Sequence, residues 1–240
     1  MHEIRKADDR GMADLGWLFS RHTFSFGDYF DAHQRGFSDL LVINDDKVEP
    51  GGGFETHSHH DMEIISYVLS GALEHEDSTG EGSVIQAGDV QAMSAGRGID
   101  HSEYNHSDDE PVHFLQIWIL PNRLRVEPRY QQRHVSAAEK RGCLRLIASA
   151  EGTGQSLRIH QDVRIYAGLF DGDETAQLDL PGERFAYIHL ARGSACINGL
   201  HLQEGDGVRI RHEPTITISE GEQAEVLVFD LRPNEKPRMT

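Results

Sequence analysis

Short apolar segments recur along the whole chain and constrain its fold more than any other feature of the sequence. Most are rich in Val, Ile, Phe and Tyr and are bounded by Gly, Asp, Asn or Pro, as at 38–45, 62–69, 112–120 and 185–191. Short runs of this composition between turn residues are typical of β-strands. The sequence therefore predicts a mainly β fold.

Local signals between these runs support that prediction. Asn198-Gly199 stands between two apolar runs and predicts a two-residue hairpin, and a second turn is predicted at 77–80. Helical periodicity is scarce. The best helix candidate is 135–141, where Ser136 is a possible N-cap and Glu139 completes a capping box.

A weak internal repeat indicates two related β-barrels or sandwiches in tandem. In the first half Gly71 ends one run and Gly88-Asp89 precedes another, and Gly193 and Gly205-Asp206 do the same in the second half. Gly-Asp turns are common in β-proteins generally, so the repeat could also be coincidental. The joint is expected within 121–142, which is rich in Arg, Gln and Glu.

Charge and composition exclude several classes of function. The 23 Lys and Arg against 40 Asp and Glu give a formal charge of −17, which argues against binding to nucleic-acid phosphates or to an anionic membrane. Two cysteines, Cys143 and Cys196, are expected to be reduced. No signal peptide or membrane-length apolar run is visible, so a cytoplasmic location is expected. The 15 histidines suggest metal binding or acid–base chemistry.

Two pairs of potential metal ligands have the spacing of a β-strand. His57 and His59 are two residues apart, and so are His101 and Glu103. Residues i and i+2 of a strand point to the same face, so each pair can converge on one ion, whereas His60 points the other way. Two such pairs on neighbouring strands would supply three imidazoles and one carboxylate. This set suits Fe, Mn, Ni, Cu or Zn and leaves positions for water, substrate or dioxygen.

Chance pairs of this spacing are expected among so many histidines. The other histidines without an obvious partner set are interpreted as surface or satisfied core residues, and they are His33, His75, His106, His113, His134, His160, His189, His201 and His212.

The surroundings of the two pairs resemble the two cupin motifs, at 51–71 and 88–105. Where the sequence departs from those motifs, it resembles one family, the pirins. The segments that carry this resemblance are HTFSF at 22–26, VINDD at 42–46, DMEI at 61–64, MSAG at 93–96, HSEYN at 101–105 and QIWI at 116–119. Ser58 departs from the family, which usually has Pro between the two histidines.

The resemblance implies an all-β bicupin with two jelly-roll-like barrels and few short helices. Residues 1–130 would form an N-terminal barrel that holds one divalent first-row metal, with Fe preferred and Mn, Ni, Co, Cu or Zn as alternatives. Its ligands would be His57, His59, His101 and Glu103. Glu63, the usual cupin carboxylate, would lie beside the ligands and orient an imidazole.

Residues 131–240 would form a degenerate barrel without metal. No HxH or HxE pattern occurs after Glu103, and Asp179 and Pro181 stand at the positions that match the first histidine pair.

The resemblance also implies two alternative functions. One is a quercetin 2,3-dioxygenase, which opens a flavonol-like aromatic substrate with dioxygen and releases carbon monoxide; Glu103 would accept the substrate proton. For Phe24, Phe26, Phe54, Met93 and Trp118, core packing is the expected role and apolar cover of the site is the alternative. The other is a non-enzymatic, iron-dependent regulator that binds a protein partner. A cupin isomerase or another oxygenase is a third possibility.

Overall fold

The computed structural model describes residues 1–80 and 82–234, and almost all of its regular structure is β. The strands that precede residue 120 are His2–Arg5 (β1), Gly11–Asp14 (β2), Leu18–His22 (β3), Leu40–Val48 (β4), Gly53–His59 (β5), Glu63–Ser70 (β6), Ala72–Asp77 (β7), Gly82–Gln86 (β8), Asp89–Ser94 (β9), Ile99–Asn105 (β10) and Val112–Ile119 (β11).

The remaining strands and one short helix follow. They are Arg129–His134 (β12), Ala137–Lys140 (α1), Arg145–Ser149 (β13), Leu157–Arg158 (β14), Arg164–Gly172 (β15), Ala176–Asp179 (β16), Phe185–Ile197 (β17), Leu200–Gln203 (β18), Gly207–Ile210 (β19) and Thr215–Leu231 (β20). Single 3₁₀ turns lie at Ala7–Asp9 and Thr153–Gln155. Among the described residues no helix has the length and apolar character that a membrane span requires.

The strands form three sheets. A seven-stranded sheet has the order β12-β9-β6-β11-β4-β3-β2, and a four-stranded sheet has the order β5-β10-β7-β8. Apolar side chains of both sheets share one cluster, which includes Val68, Leu73, Ile85 and Phe114. The two sheets therefore enclose the N-terminal barrel. The third sheet has nine strands and encloses the second core. The predicted all-β bicupin is confirmed.

The largest apolar cluster joins the two halves of the molecule. Ile65 and Tyr67 on β6 belong to it together with Ile165 on β15 and Phe229 on β20. Ser66, between the first two, instead reaches Glu103 inside the N-terminal barrel. Strand alternation therefore gives β6 one face toward the barrel interior and one toward the C-terminal half.

Local predictions from the sequence are confirmed. Asn198 and Gly199 have φ of 47° and 80° between β17 and β18, as a two-residue hairpin turn requires. The Ser136 side chain and Glu139 form the predicted capping box at the start of α1. The two Gly-Asp turns also match, since Asp89 accepts from the Gln86 backbone N–H and Asp206 from that of Gln203.

Two strands pair with strands from the other half of the sequence. β1 pairs with β19, with His2 opposite Ile210, so the first strand lies in the C-terminal sheet. β12 pairs with β9 in the N-terminal sheet. The division at residue 130 remains a prediction.

Candidate metal centre

Three histidines converge at the end of the four-stranded sheet. His57 on β5 lies directly opposite His101 on β10, and His59 follows on the same face of β5. The ring centroids are 4.8 Å apart for His57 and His59, 4.5 Å for His57 and His101, and 4.9 Å for His59 and His101. One potential ligand atom from each of the three lies within 4.8 Å of the others. His60 is exposed, as the alternation of a strand predicts.

Hydrogen bonds fix which nitrogen of two of these rings carries the proton. His57 Nδ1 lies 2.8 Å from the Glu55 carbonyl oxygen. A carbonyl only accepts, so Nδ1 donates and Nε2 keeps its lone pair. His101 Nδ1 lies 3.5 Å from His75 Nδ1, and His75 Nε2 lies 3.2 Å from the Asp77 carboxylate.

The Asp77 carboxylate sets the proton positions of His75 and, through it, of His101. Despite the opposing effect of burial, hydrogen bonds from Thr79 and His75 lower the pKa of Asp77, so its carboxylate is ionised and accepts from His75 Nε2. His75 Nδ1 is then an acceptor for His101 Nδ1–H. His101 Nε2 consequently carries a lone pair, and this buried atom has no hydrogen-bond partner among the described residues. An orphaned imidazole lone pair is the donor that a metal requires.

Burial keeps two of the three histidines, His59 and His101, neutral. It lowers the pKa of His59 to about 4 and that of His101 to about 3, in both cases with help from neighbouring imidazoles. Only the neutral ring can bind a cation through nitrogen, so the three-histidine cluster fits a divalent metal near neutral pH.

Glu103 lies beside His101 on the barrel side of β10. Its carboxylate accepts from Ser66 Oγ at 3.2 Å and from Gln116 Nε2 at 2.8 Å, and burial raises its pKa to about 7. It forms a second close group with His75 and His101, so the two groups share His101. The structure thus brings the other three predicted ligands, His57, His59 and Glu103, close to His101. Their role as ligands remains a prediction.

Glu63 is not where the sequence interpretation placed it. Its carboxylate accepts from Ser94 Oγ at 2.8 Å and lies 3.1 Å from His160 Nδ1, a residue of the C-terminal half. Glu63 shares the face of β6 that carries Ile65 and Tyr67, whereas Ser66 faces the barrel interior. Strand parity therefore directs Glu63 away from the three-histidine cluster.

The predicted aromatic cover is divided between two roles. Phe26, Phe54 and Trp118 line a cavity of about 80 Å³ that also contacts His57, His59 and Glu103. Phe24 packs on Tyr187 in the core between the two halves, and Met93 is fully buried in a cluster with Ile64. Phe24 and Met93 therefore contribute to core packing and not to the cavity.

Sequence reasoning missed His75, which it treated as a surface or satisfied core residue. His75 is fully buried and lies opposite Glu103 across β7 and β10, while Asp77 lies opposite His101. The sequence did carry a signal for this residue. His75 and Asp77 are two residues apart, which is the spacing of the two predicted ligand pairs.

One further close group of potential ligands is described in the C-terminal half. It contains Cys196, His201 and Glu220, the last two of which are exposed. Ala195 and Ile197 belong to the C-terminal core cluster, whereas Cys196 does not. Alternation along β17 therefore places this group on the outer face of the sheet.

Comparison with known proteins assigns the chain to a family. A family model described as Pirin matches residues 4–119. A Quercetinase C-terminal cupin domain matches residues 146–231. A protein of Escherichia coli strain K12 named quercetin 2,3-dioxygenase is 45% identical over 230 residues, which cover 96% of this chain and 98% of that protein. The chain belongs to the pirin family.

Solved structures agree with this assignment. The crystal structure of the bacterial pirin YhhW from Escherichia coli in complex with nickel(II) has a TM-score of 0.93 at 44% identity, covering 98% of this pirin and all of that chain (100%). A quercetin 2,3-dioxygenase from Acinetobacter baumannii has a TM-score of 0.71 at 20% identity, covering 95% and 87%, and shares the fold.

Proposed function

We propose that this pirin is a metal-dependent dioxygenase that cleaves the ring of a flavonol-like aromatic substrate with dioxygen and releases carbon monoxide. The observation that carries the proposal is the three-histidine cluster, in which the buried His101 Nε2 lacks a partner and the cluster borders a cavity lined with aromatic rings. The names of its relatives support the same activity.

His57, His59, His101 and Glu103 would hold the metal. Iron is our first choice, and the nickel(II) complex of YhhW supports the wider class of divalent first-row metals, including Mn, Co, Cu and Zn. When bound, such a metal acts as a Lewis acid, favours the deprotonated form of a substrate hydroxyl and brings dioxygen and substrate together.

The protein's own residues would position the substrate and move one proton. Trp17, Phe26, Phe54 and Trp118 line an outer depression of about 600 Å³ beside the histidines, where a planar ring system can pack and displace water. Glu103 would accept the hydroxyl proton.

The test is turnover of quercetin by protein loaded separately with Fe, Mn, Ni, Co or Cu. We expect loss of quercetin absorbance together with oxygen uptake and carbon monoxide release. His101→Ala, which removes the orphaned nitrogen, is expected to lose both metal and turnover. Absence of turnover with all five metals would reject the dioxygenase and favour the regulator that binds a protein partner.

A further inference from the structure

A thiol, an imidazole and a carboxylate lie together on the outer face of the C-terminal sheet. Cys196 on β17 is directly opposite His201 on β18, and on its other side it is directly opposite Ser219 on β20, which precedes Glu220. One potential ligand atom from each of Cys196, His201 and Glu220 lies within 4.8 Å of those of the other two. Three neighbouring strands therefore contribute one potential ligand each.

Strand alternation accounts for the direction of the thiol and the imidazole. Ala195 and Ile197, the neighbours of Cys196, belong to the C-terminal core cluster, and so does Leu202, the neighbour of His201. Residues directly opposite each other in an antiparallel pair lie on the same face of the sheet. Cys196 and His201 therefore both point away from the core.

A β-bulge brings the carboxylate to that same face. The register between β17 and β20 shifts by one residue between Ser194 and Cys196. Because of this shift, Glu220 and Gly221 of β20 together face a single residue of β17. Regular alternation after Ser219 would turn Glu220 toward the core, whereas a bulge re-aims the side chain. The Glu220 carboxylate accordingly lies 3.9 Å from the imidazole Nδ1 of the group.

The three ligand atoms can reach one ion through small side-chain rotations. Bonds of about 2.0–2.3 Å to a tetrahedral ion place two ligand atoms about 3.4–3.6 Å apart. Ligand atoms within 4.8 Å of one another must therefore approach by about 1 Å. The side chains of His201 and Glu220 are 76% and 67% exposed, and among the described residues they contact no other charged or hydrogen-bonding group, so both are free to rotate.

The mixture of donors determines which ion fits. Mg²⁺ and Ca²⁺ bind oxygen ligands, whereas thiolate and imidazole suit Zn²⁺ and related ions. Zn²⁺ with three protein ligands keeps a fourth position for water. A thiol binds only after it loses its proton, so the ion would displace the Cys196 proton to the solvent. The three-histidine cluster contains no sulfur, so the two sites differ in chemistry.

We propose that Cys196, His201 and Glu220 form a second metal site, which binds Zn²⁺ or a chemically similar divalent ion with water in the fourth position. The site lies outside the C-terminal barrel, whose interior is predicted to be free of metal. An ion held there links β18 to β20 across β17. It therefore restrains the hairpin at Asn198-Gly199 and is independent of the proposed dioxygenase chemistry.

The test uses Co²⁺ as the probe, because a thiolate bound to Co²⁺ gives a charge-transfer band in the near ultraviolet. The predicted ligands of the N-terminal barrel contain no sulfur, so Co²⁺ bound there gives no such band. Protein with reduced thiols is titrated with Co²⁺ in the absence of oxygen. We expect the band in wild type, and we expect an excess of Zn²⁺, which fills the same site without a band in this region, to remove it.

Variants identify the ligands. Cys196→Ser should lose the band, and Cys143→Ser, at the other cysteine of the chain, is the matched control that should keep it. The Cys143 thiol lies 3.2 Å from the Glu139 carbonyl oxygen and belongs to no close group of potential ligands among the described residues. His201→Ala and Glu220→Gln change exposed side chains and should leave folding intact. Each should weaken Co²⁺ binding by at least about tenfold, since removal of a group that merely supports a ligand already costs about 10–100-fold.

Hydrogen exchange gives a second, local measurement of the same site. Zn²⁺ should slow exchange of the backbone amides at 194–203 in wild type but not in Cys196→Ser. A metal bound only by the three-histidine cluster would not produce this difference, because that cluster is intact in both proteins.

Four results would overturn the proposal: no thiolate band in wild type, a band that survives in Cys196→Ser, Co²⁺ affinity that is unchanged in both His201→Ala and Glu220→Gln, or exchange at 194–203 that responds equally to Zn²⁺ in wild type and Cys196→Ser. None of these measurements involves quercetin. Failure of this site and failure of the proposed dioxygenase are therefore distinguishable.

Discussion

Replacing His75 with Phe tests the hydrogen bonds that fix the His101 tautomer. Phe preserves a ring that packs against Tyr130, whose centroid is 4.8 Å from that of His75, but it removes the acceptor for His101 Nδ1–H. Asp77 Oδ1 keeps its hydrogen bond from the Thr79 backbone N–H at 2.8 Å, whereas Asp77 Oδ2 loses the donor His75 Nε2. The variant therefore removes both hydrogen bonds of His75, of which the one to His101 sets the His101 tautomer.

The expected loss of metal affinity is at the lower end of the range for such partners. Removing a group that hydrogen-bonds a metal-binding histidine costs about 10–100-fold in affinity. The separation of 3.5 Å between the two Nδ1 atoms is long for a hydrogen bond, so we expect about tenfold, or about 1.4 kcal/mol.

Competition between the protein and a chromogenic chelator for Ni²⁺ or Zn²⁺ measures this affinity, and NMR of the imidazole nitrogens reports the His101 tautomer. Tyr130→Phe is the control, because it alters the neighbour of the His75 ring without touching His101. Unchanged affinity and tautomer in His75→Phe would refute the reasoning. A loss as large as that of His101→Ala would show instead that His75 itself binds the metal.

Two further predictions concern carboxylates. Burial raises the pKa of Asp46 from 3.8 to about 7, so its stabilising contribution is present below pH 3.8 and is lost as pH rises to about 7. In metal-free protein, wild type should therefore lose up to about 4 kcal/mol relative to Asp46→Asn across this window, measured by urea unfolding; parallel stability curves would contradict it. Glu63→Gln should cost about 1–3 kcal/mol of stability, because it weakens the contact with His160, and should leave metal affinity unchanged. Glu103→Gln should instead lower metal affinity. Equal effects of the two variants on metal affinity would contradict the placement of Glu63.

Features governed by residues close in sequence could be predicted from the sequence. The hairpin at Asn198-Gly199 and the capping box at Ser136 depend on a few consecutive residues, and both are present. The convergence of His57 and His59 follows from the two-residue period of a strand. These signals require no knowledge of which strands are neighbours.

Features governed by strand pairing could not be predicted in the same way. The proximity of His75 to His101 depends on the register between β7 and β10. The cupin motif gives the position of Glu63 along the chain, but the side on which it lies depends on which face of β6 the barrel encloses.

The pairing of β1 with β19 has a consequence for the order of events during synthesis. The partners His2 and Ile210 are separated by about 200 residues, and ribosomes add about 5–20 residues per second. The first strand therefore waits roughly 10–40 s for its neighbour to be translated. During that interval the faces of β4 and β6 that later meet the C-terminal half are uncovered. The nascent chain is thus expected to depend on chaperones until its last strands emerge.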